Sequence, residues 1–166
     1  MTIKLDITPE KLFIIGYIGS DRMRVGKEAA NLLGYELLVL DDLIVKKDGR
    51  PLKKLIMAMG EHEYRNREYE ILETYSKKKG FVMVCGDGIV LDEMCITILK
   101  DNPTLFVEEP LELLWSRVQN DQAPLYSFLE NISKPFVHEK FNELYQLRLP
   151  LYQICSTVKM EEKNEI

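Results

Sequence analysis

Short apolar runs alternate along this chain with longer stretches whose apolar residues recur every three or four positions. The runs cover residues 11–15, 36–40, 81–85 and 104–107, with a weaker one at 157–160. Uninterrupted runs of this length predict strands covered on both faces, as in a parallel sheet. After the first run, Val25, Ala29, Leu32 and Leu33 keep a helical spacing, and Gly34 suits the helix end. A long polar-helical region covers about 42–79. Pro51 suits a first turn there, Tyr64, Glu68, Ile71, Leu72 and Tyr75 hold the period, and Lys77, Lys78 and Lys79 with Gly80 read as an end. Further helices are predicted near 91–100, over 110–118 and over 134–149. Residues 119–133 read as a loop with a short helix, and 160–166 as a charged tail. Alternating strand and helix predict an α/β fold, doubly wound, with ligands at the strand C-terminal ends. No internal repeat and no Pro-, Gly- or Ser-rich linker interrupts the pattern, so 1–166 reads as one domain.

Composition narrows the function classes. The 166 residues are 46% hydrophobic and 30% charged, which excludes collagen-like and largely disordered chains. Lys and Arg number 22 against 27 Asp and Glu, a formal charge of −5. A net acidic chain disfavours nucleic acid and anionic membrane as main partners. Cys85, Cys95 and Cys155 are an odd, widely spaced set without a C-x-x-C pair. Reduced thiols in a cytoplasm are therefore expected, with no zinc or disulfide framework. The first apolar run is too short for a membrane span or a signal segment.

The loop after the first run carries the most chemistry. It reads Gly16-Tyr17-Ile18-Gly19-Ser20-Asp21-Arg22-Met23-Arg24 and leads into a helix, the context of a phosphate-binding loop. The pattern G-x-x-x-x-G-K-[ST], started at Gly16, meets Asp21, Arg22 and Met23 at its last three defining positions. Gly26-Lys27 is a decoy: its partner position is Asp21 and the next residue is Glu28. Asp21 puts a carboxylate where phosphates need N–H donors. Met23 offers no oxygen to Mg²⁺, which wants hard oxygen ligands. Arg22 keeps the positive charge, as a planar fork and not a compact ammonium. On these residues alone, an ordinary strand–helix turn with no ligand is the simpler reading.

The order F-I-I-G-Y-I-G-S, V-G-K-E-A-A-N-L-L-G-Y-E, L-D-D, G-E-H-E-Y-R-N-R-E, V-C-G-D-G, A-P-L-Y and R-L-P-L-Y, over roughly residues 10–160, resembles the shikimate kinase family. The resemblance implies a three-layer αβα P-loop kinase fold with a five-stranded parallel sheet and a lid, here at about 116–133. It also implies transfer of the ATP γ-phosphate to a shikimate hydroxyl. On the acceptor side it assigns Asp41 to the sugar-like hydroxyls and to assisting deprotonation. Arg65 and Arg148 become clamps on the carboxylate, and Gly86-Asp87-Gly88 stands at the family's Gly-Gly-Gly turn. On the nucleotide side it assigns Gly16, Gly19, Ser20, Arg22, Arg24 and Arg117, with Arg22 also catalytic. There the match thins: Asp21, Arg22 and Met23 replace Gly, Lys and Ser, Val39 replaces an acidic Mg²⁺ partner, and Ala123-Pro124-Leu125 replaces the lid's Arg-Pro-Leu. The family's C-terminal helix is missing.

The losses fall on one side. Phosphoryl transfer depends on positioning and charge neutralisation around the phosphates. Each lost electrostatic group is worth about 2–4 kcal/mol. The expected function is therefore a shikimate-kinase-like protein with lost or greatly weakened ATP-dependent transfer, keeping a site for shikimate or a similar hydroxylated carboxylic acid. No metal site is expected, and ATP with Mg²⁺ would be needed only in an active enzyme. The alternatives are an active shikimate kinase with an unusual phosphate loop and a non-catalytic interaction module. Simpler roles also remain for the retained residues: capping for Asp41 and Arg148, and surface i,i+3 or i,i+4 pairing for Arg65.

Overall fold

The computed structural model describes residues 2–120 and 134–163. Most of the expected lid, including Ala123-Pro124-Leu125, and the short helix expected within 119–133 lie outside the described residues. In chain order the elements are strands β1 (Thr2–Leu5) and β2 (Leu12–Ile15), helix α1 (Arg22–Leu33), β3 (Glu36–Val39), α2 (Leu40–Asp48) and α3 (Leu52–Ser76). Then come β4 (Phe81–Val84), a 3-10 turn (Asp87–Leu91), α4 (Glu93–Lys100), β5 (Thr104–Phe106), α5 (Leu111–Gln119), α6 (Lys134–Cys155) and β6 (Met160–Lys163).

Four strands form a parallel sheet in the order β3-β4-β2-β5. Because side chains alternate across a strand, each buried run feeds two cores. Leu12, Ile14, Val82 and Val84 face α1 and pack with Val25, Ala29 and Ala30. Phe13, Ile15, Phe81 and Met83 face the other way, onto residues of α3, α4 and α6. The result is the three-layer αβα arrangement of a P-loop kinase. Gly26 belongs to this packing: a Cβ there would stand 2.6 Å from a Val84 methyl carbon. The decoy Gly26-Lys27 pair is a helix–sheet contact.

Several expectations are corrected. The sheet has four parallel strands among the described residues, not five. Of the run at 157–160, Val158 makes an isolated parallel bridge to Leu105 and Met160 opens a different strand. The start of the charged tail instead forms β6, which pairs antiparallel with β1, Leu5 opposite Met160. Its charges read as solvated tail, whereas only one side of this two-stranded ribbon needs covering: Ile3, Leu5 and Met160 supply it. The 36–40 run is an edge strand, half-buried, and its last residue already starts α2. α6 runs through Pro150 to Cys155, past the expected end at 149. α3 carries a break at Gly60, whose φ of 80° and ψ of 163° separate two helical stretches.

Candidate functional site

The β2–α1 loop is held by glycines that the packing requires. Gly19 has φ 87°, and a Cβ there would meet the Leu114 carbonyl oxygen at 2.7 Å. A Cβ on Gly16 would meet Ser20 Oγ at 2.5 Å. The loop therefore lies directly against α5. Arg117, from the last turn of α5, donates to the Gly19 carbonyl (2.7 Å) and makes a two-pronged ion pair with Glu109, at 2.9 and 2.8 Å. The same Glu109 carboxylate accepts the Asp21 N–H at 2.8 Å. An anion is favoured at a helix N-terminus by the exposed N–H groups and the helix dipole. At the start of α1, that place is taken by Glu109. Burial alone would raise the Glu109 carboxyl, but Arg117 and the Asp21 N–H bring it below the usual carboxylate range.

Two more arginines, in the first turn of α1 and not in the loop where the sequence placed them, turn elsewhere. Arg24 pairs with Asp21 (2.9 Å), Glu28 (3.3 Å) and Glu162 of β6 (3.0 Å). Arg22 donates to the Cys85 carbonyl at the end of β4, at 2.7 Å. Arg22 thus reaches from the start of α1 toward the acceptor side.

On that side Asp41 sits in the first turn of α2 without capping it, since the N-cap position is Val39 and makes no side-chain cap bond. Asp41 instead accepts a hydrogen bond from the Tyr64 hydroxyl of α3. Burial raises the Asp41 carboxyl, opposed by the Tyr64 bond. Arg65, one residue on, pairs with Glu68 Oε1 (2.5 Å) and Glu61 (3.3 Å). The expected i,i+4 and i,i+3 partners are present, but Glu68 is fully buried, so this is not surface pairing. Burial pushes the Glu68 carboxyl up to about 7 despite Arg65. The Arg65 guanidinium lies against Gly88, where a Cβ would come within 2.2 Å of it. Arg148, only 2% exposed, reaches from α6 to Asp87 Oδ2 at 2.9 Å. The Asp87 carbonyl accepts from the Tyr152 hydroxyl at 2.6 Å, fixing this turn to α6. Burial alone would raise the Asp87 carboxyl; Arg148 and Arg22 hold it below its ordinary value.

A cavity of about 310 Å³ joins the two sides. Its walls include Gly19, Ser20, Arg22 and Arg117 from the nucleotide set, and Asp41 and Gly86 from the acceptor set. Arg65, Gly88 and Arg148 stand behind Gly86 and Asp87. Gly16 and Arg24 are outside the lining. Sequence reasoning missed Glu109, and gave Glu68 and Tyr64 no role beyond the helical period. The sole signal for Glu109 is its place in the Glu108-Glu109 pair just after β5, at the sheet end where ligands collect.

Mg²⁺ would meet a mixed donor set in this cavity: Met23 and Val39 offer it no oxygen, whereas Ser20, Asp21, Asp41 and Asp87 also line the walls. Among the described residues no group of three or more His, Cys, Asp or Glu could hold a metal. The three cysteines are free and buried, and no described helix is long and apolar enough to cross a membrane.

A parallel sheet with a glycine loop leading into a helix N-terminus, beside a cavity lined by acids and arginines, is the architecture of the P-loop kinase fold. Comparison with known proteins gives the family. The chain belongs to the shikimate kinase family, whose model matches residues 19–166. It is 28% identical over 157 residues to the shikimate kinase of Chlorobium chlorochromatii, covering 92% of this chain and 82% of that protein. It is 26% identical over 155 residues to a bifunctional shikimate kinase/3-dehydroquinate synthase of Thermotoga maritima, covering 93% of this chain but only 30% of that longer protein. Its structure is similar to that of the shikimate kinase from Acinetobacter baumannii in complex with shikimate. The TM-score is 0.79 and the identity 26%, with 95% of this chain and 86% of that one covered.

Proposed function

We propose that this chain, as a single domain over residues 1–166, binds shikimate or a similar hydroxylated carboxylic acid, and that its ATP-dependent phosphoryl transfer is lost or greatly weakened. Asp41 would receive the acceptor hydroxyl, with Arg65, Gly86, Gly88 and Arg148 forming the wall beyond it. Arg22 is the cation placed between the acceptor and the phosphate loop. The observation that carries the reading is Glu109, whose carboxylate takes both Arg117 and the Asp21 N–H. A γ- or β-phosphate entering the loop would meet Glu109 and Asp21 where the transition state needs positive charge and free donors. Support for the acceptor class comes from the family and from the Acinetobacter neighbour described with shikimate.

The relatives favour a second reading: an active shikimate kinase in which Arg22 replaces the usual lysine. Similarity to full-length shikimate kinases across about nine-tenths of the chain supports it. A coupled ADP-release assay with shikimate and Mg-ATP separates the two, run beside an authentic relative. The proposed reading expects turnover at least about a hundredfold below that relative, the effect of losing one or more electrostatic groups. Turnover comparable with the relative, and abolished by Arg22→Ala, would establish the second reading instead.

A further inference from the structure

A second cavity, of about 180 Å³, opens where α2 meets the break in α3. Gly60, at φ 80°, breaks α3 immediately after Met59, and a Cβ there would meet nothing within 4 Å. The glycine is set by the backbone turn and not by crowding. The turn brings Met59, from the first stretch of α3, to the same cavity as Arg67, Glu70 and Ile71 from the second. Ile44, Lys47 and Asp48 of α2 complete the walls, and no wall residue is shared with the acceptor cavity.

The floor is apolar: Ile44 is buried, and Met59 and Ile71 are partly buried against the main core. A dry space of about 150 Å³ holds one benzene-sized ring, so this cavity suits a single ring. The rim favours an anion. Asp48 is already held by Arg50, at 2.6 and 2.8 Å. Arg67 reaches Glu63 and Glu70 only at 3.4 and 3.5 Å, longer than the roughly 2.7–2.9 Å of a well-formed charged hydrogen bond. Among the described residues Lys47 makes no ion pair. Glu70, the other acid of the rim, is 51% exposed and can turn to water. Residues 46–54 hold Lys46, Lys47, Arg50, Lys53 and Lys54 against Asp48 alone, in a chain of net charge −5. Such a local excess of one sign draws the opposite one to the surface.

We propose that this cavity is a second ligand site, for a small carboxylate carrying one apolar ring: Ile44, Met59 and Ile71 hold the ring, and Lys47 and Arg67 hold the carboxylate. A hydroxylated ring is excluded, because its hydroxyls would be buried against the apolar floor without partners. The site is therefore separate from the acceptor pocket in place and in chemistry.

The test uses the full chain with benzoate as the probe and uncharged benzamide as its control, read by calorimetry. Benzoate is expected to bind with a dissociation constant of about 1 mM or below, the scale for a ligand of this size. Benzamide should bind at least about fivefold more weakly, the effect of one charge-assisted contact. Lys47→Gln combined with Arg67→Gln should weaken benzoate by at least about fivefold and leave benzamide unchanged. With methyl-labelled methionine, the NMR signal of Met59 should move on adding benzoate, while that of Met23, in the acceptor cavity's wall, stays still. Saturating shikimate should not displace benzoate. The proposal falls if benzoate does not bind, if benzamide binds equally, if Met23 responds in place of Met59, if shikimate displaces benzoate, or if the double variant binds benzoate as the wild type does. Should that variant fail to fold, the Met59 and Met23 signals decide. Failure of shikimate itself to bind would sink the acceptor reading and leave this one standing, since Met59 locates the site without it.

Discussion

The phosphate-loop side and the acceptor side each carry an arginine closed by a carboxylate of the same chain, at nearly equal distances. Arg117 meets Glu109 at 2.8 Å, and Arg148 meets Asp87 at 2.9 Å. Their settings differ. The Arg117 and Glu109 side chains are 22% and 16% exposed, whereas that of Arg148 is 2% exposed. Arg148 lies over the Tyr17 ring, its guanidinium 5.6 Å from the centroid. Equal geometry thus carries unequal consequences. A pair with water nearby is a modest and adjustable contact, while a buried cation without its partner is expensive. The loop side has been neutralised in a way that substitution could reverse. The acceptor side is neutralised by a pair whose cation, Arg148, is buried while its acid, Asp87, keeps 27% exposure.

The largest expected effect follows directly. Arg148→Leu leaves the Asp87 carboxylate without its main partner and removes the contact with Tyr17. Breaking a buried pair on one side costs about 3–5 kcal/mol, reduced here to roughly 2–4 because the Asp87 side chain keeps 27% exposure. Urea denaturation reads it. A loss below about 1 kcal/mol would erase the contrast between the two regions.

Next in size is a change on the loop side. Replacing Asp21 by Gly, Arg22 by Lys and Met23 by Ser together supplies a compact ammonium and a hydroxyl, and removes one carboxylate. ADP release with Mg-ATP and shikimate is expected to rise at least about tenfold, on the scale of a single recovered electrostatic contact. A fall would mean that the Arg22 bond to the Cys85 carbonyl is what the loop depends on.

Glu68 gives a pH test inside the acceptor side. Its carboxyl is raised to about 7 in the fold, with burial the leading cause, against an unfolded value of about 4.3. Between about pH 4.3 and 7 the folded chain therefore holds a proton that the unfolded chain lacks. Stability from this group rises as pH falls through that window and is lost above about 7. Relative to Glu68→Gln, the wild-type chain should gain on the order of 1–3 kcal/mol between pH 8 and pH 5. Thermal melts of both chains check the slope; parallel curves would count against a buried, strained carboxylate here.

How much of this was legible depended on whether a signal was local. Strand runs and helix periods are local, so β2, β4, β5 and the C-terminal end of α1 were readable to within a residue or so, whereas α1 starts at Arg22, inside the stretch read as loop. β6 was not, because Met160–Lys163 becomes a strand only by meeting Thr2–Leu5 from the other end of the chain. The edge position of β3 was likewise invisible, since its apolar run resembles that of a central strand. At the site, the residues at 16–24 could be singled out from the strand–loop–helix context, and Asp41, Arg65 and Arg148 from the resemblance to the family. Their partners could not. Glu109 is 88 positions from Asp21, and Asp87 is 61 from Arg148. A missing lysine can be seen in a sequence, but an acid that fills an anion seat from a distant loop is seen only when the chain has folded.

The smallest expected effect probes the loop pair alone. Glu109→Gln retains a side chain of the same size that can still accept the Asp21 N–H, while removing the charge facing Arg117. Because both partners keep some access to water, stability should change by no more than about 1 kcal/mol. A double-mutant cycle with Arg117→Ala, read by urea denaturation, isolates the pair itself. Arg117, no longer neutralised, should then strengthen binding of ATP or inorganic triphosphate by about threefold to tenfold, measured by calorimetry at fixed ionic strength. A coupling energy of 2 kcal/mol or more would put this pair in the same class as Arg148–Asp87. Unchanged triphosphate binding would instead mean that Asp21, and not Glu109, is the charge that keeps phosphates out of the loop.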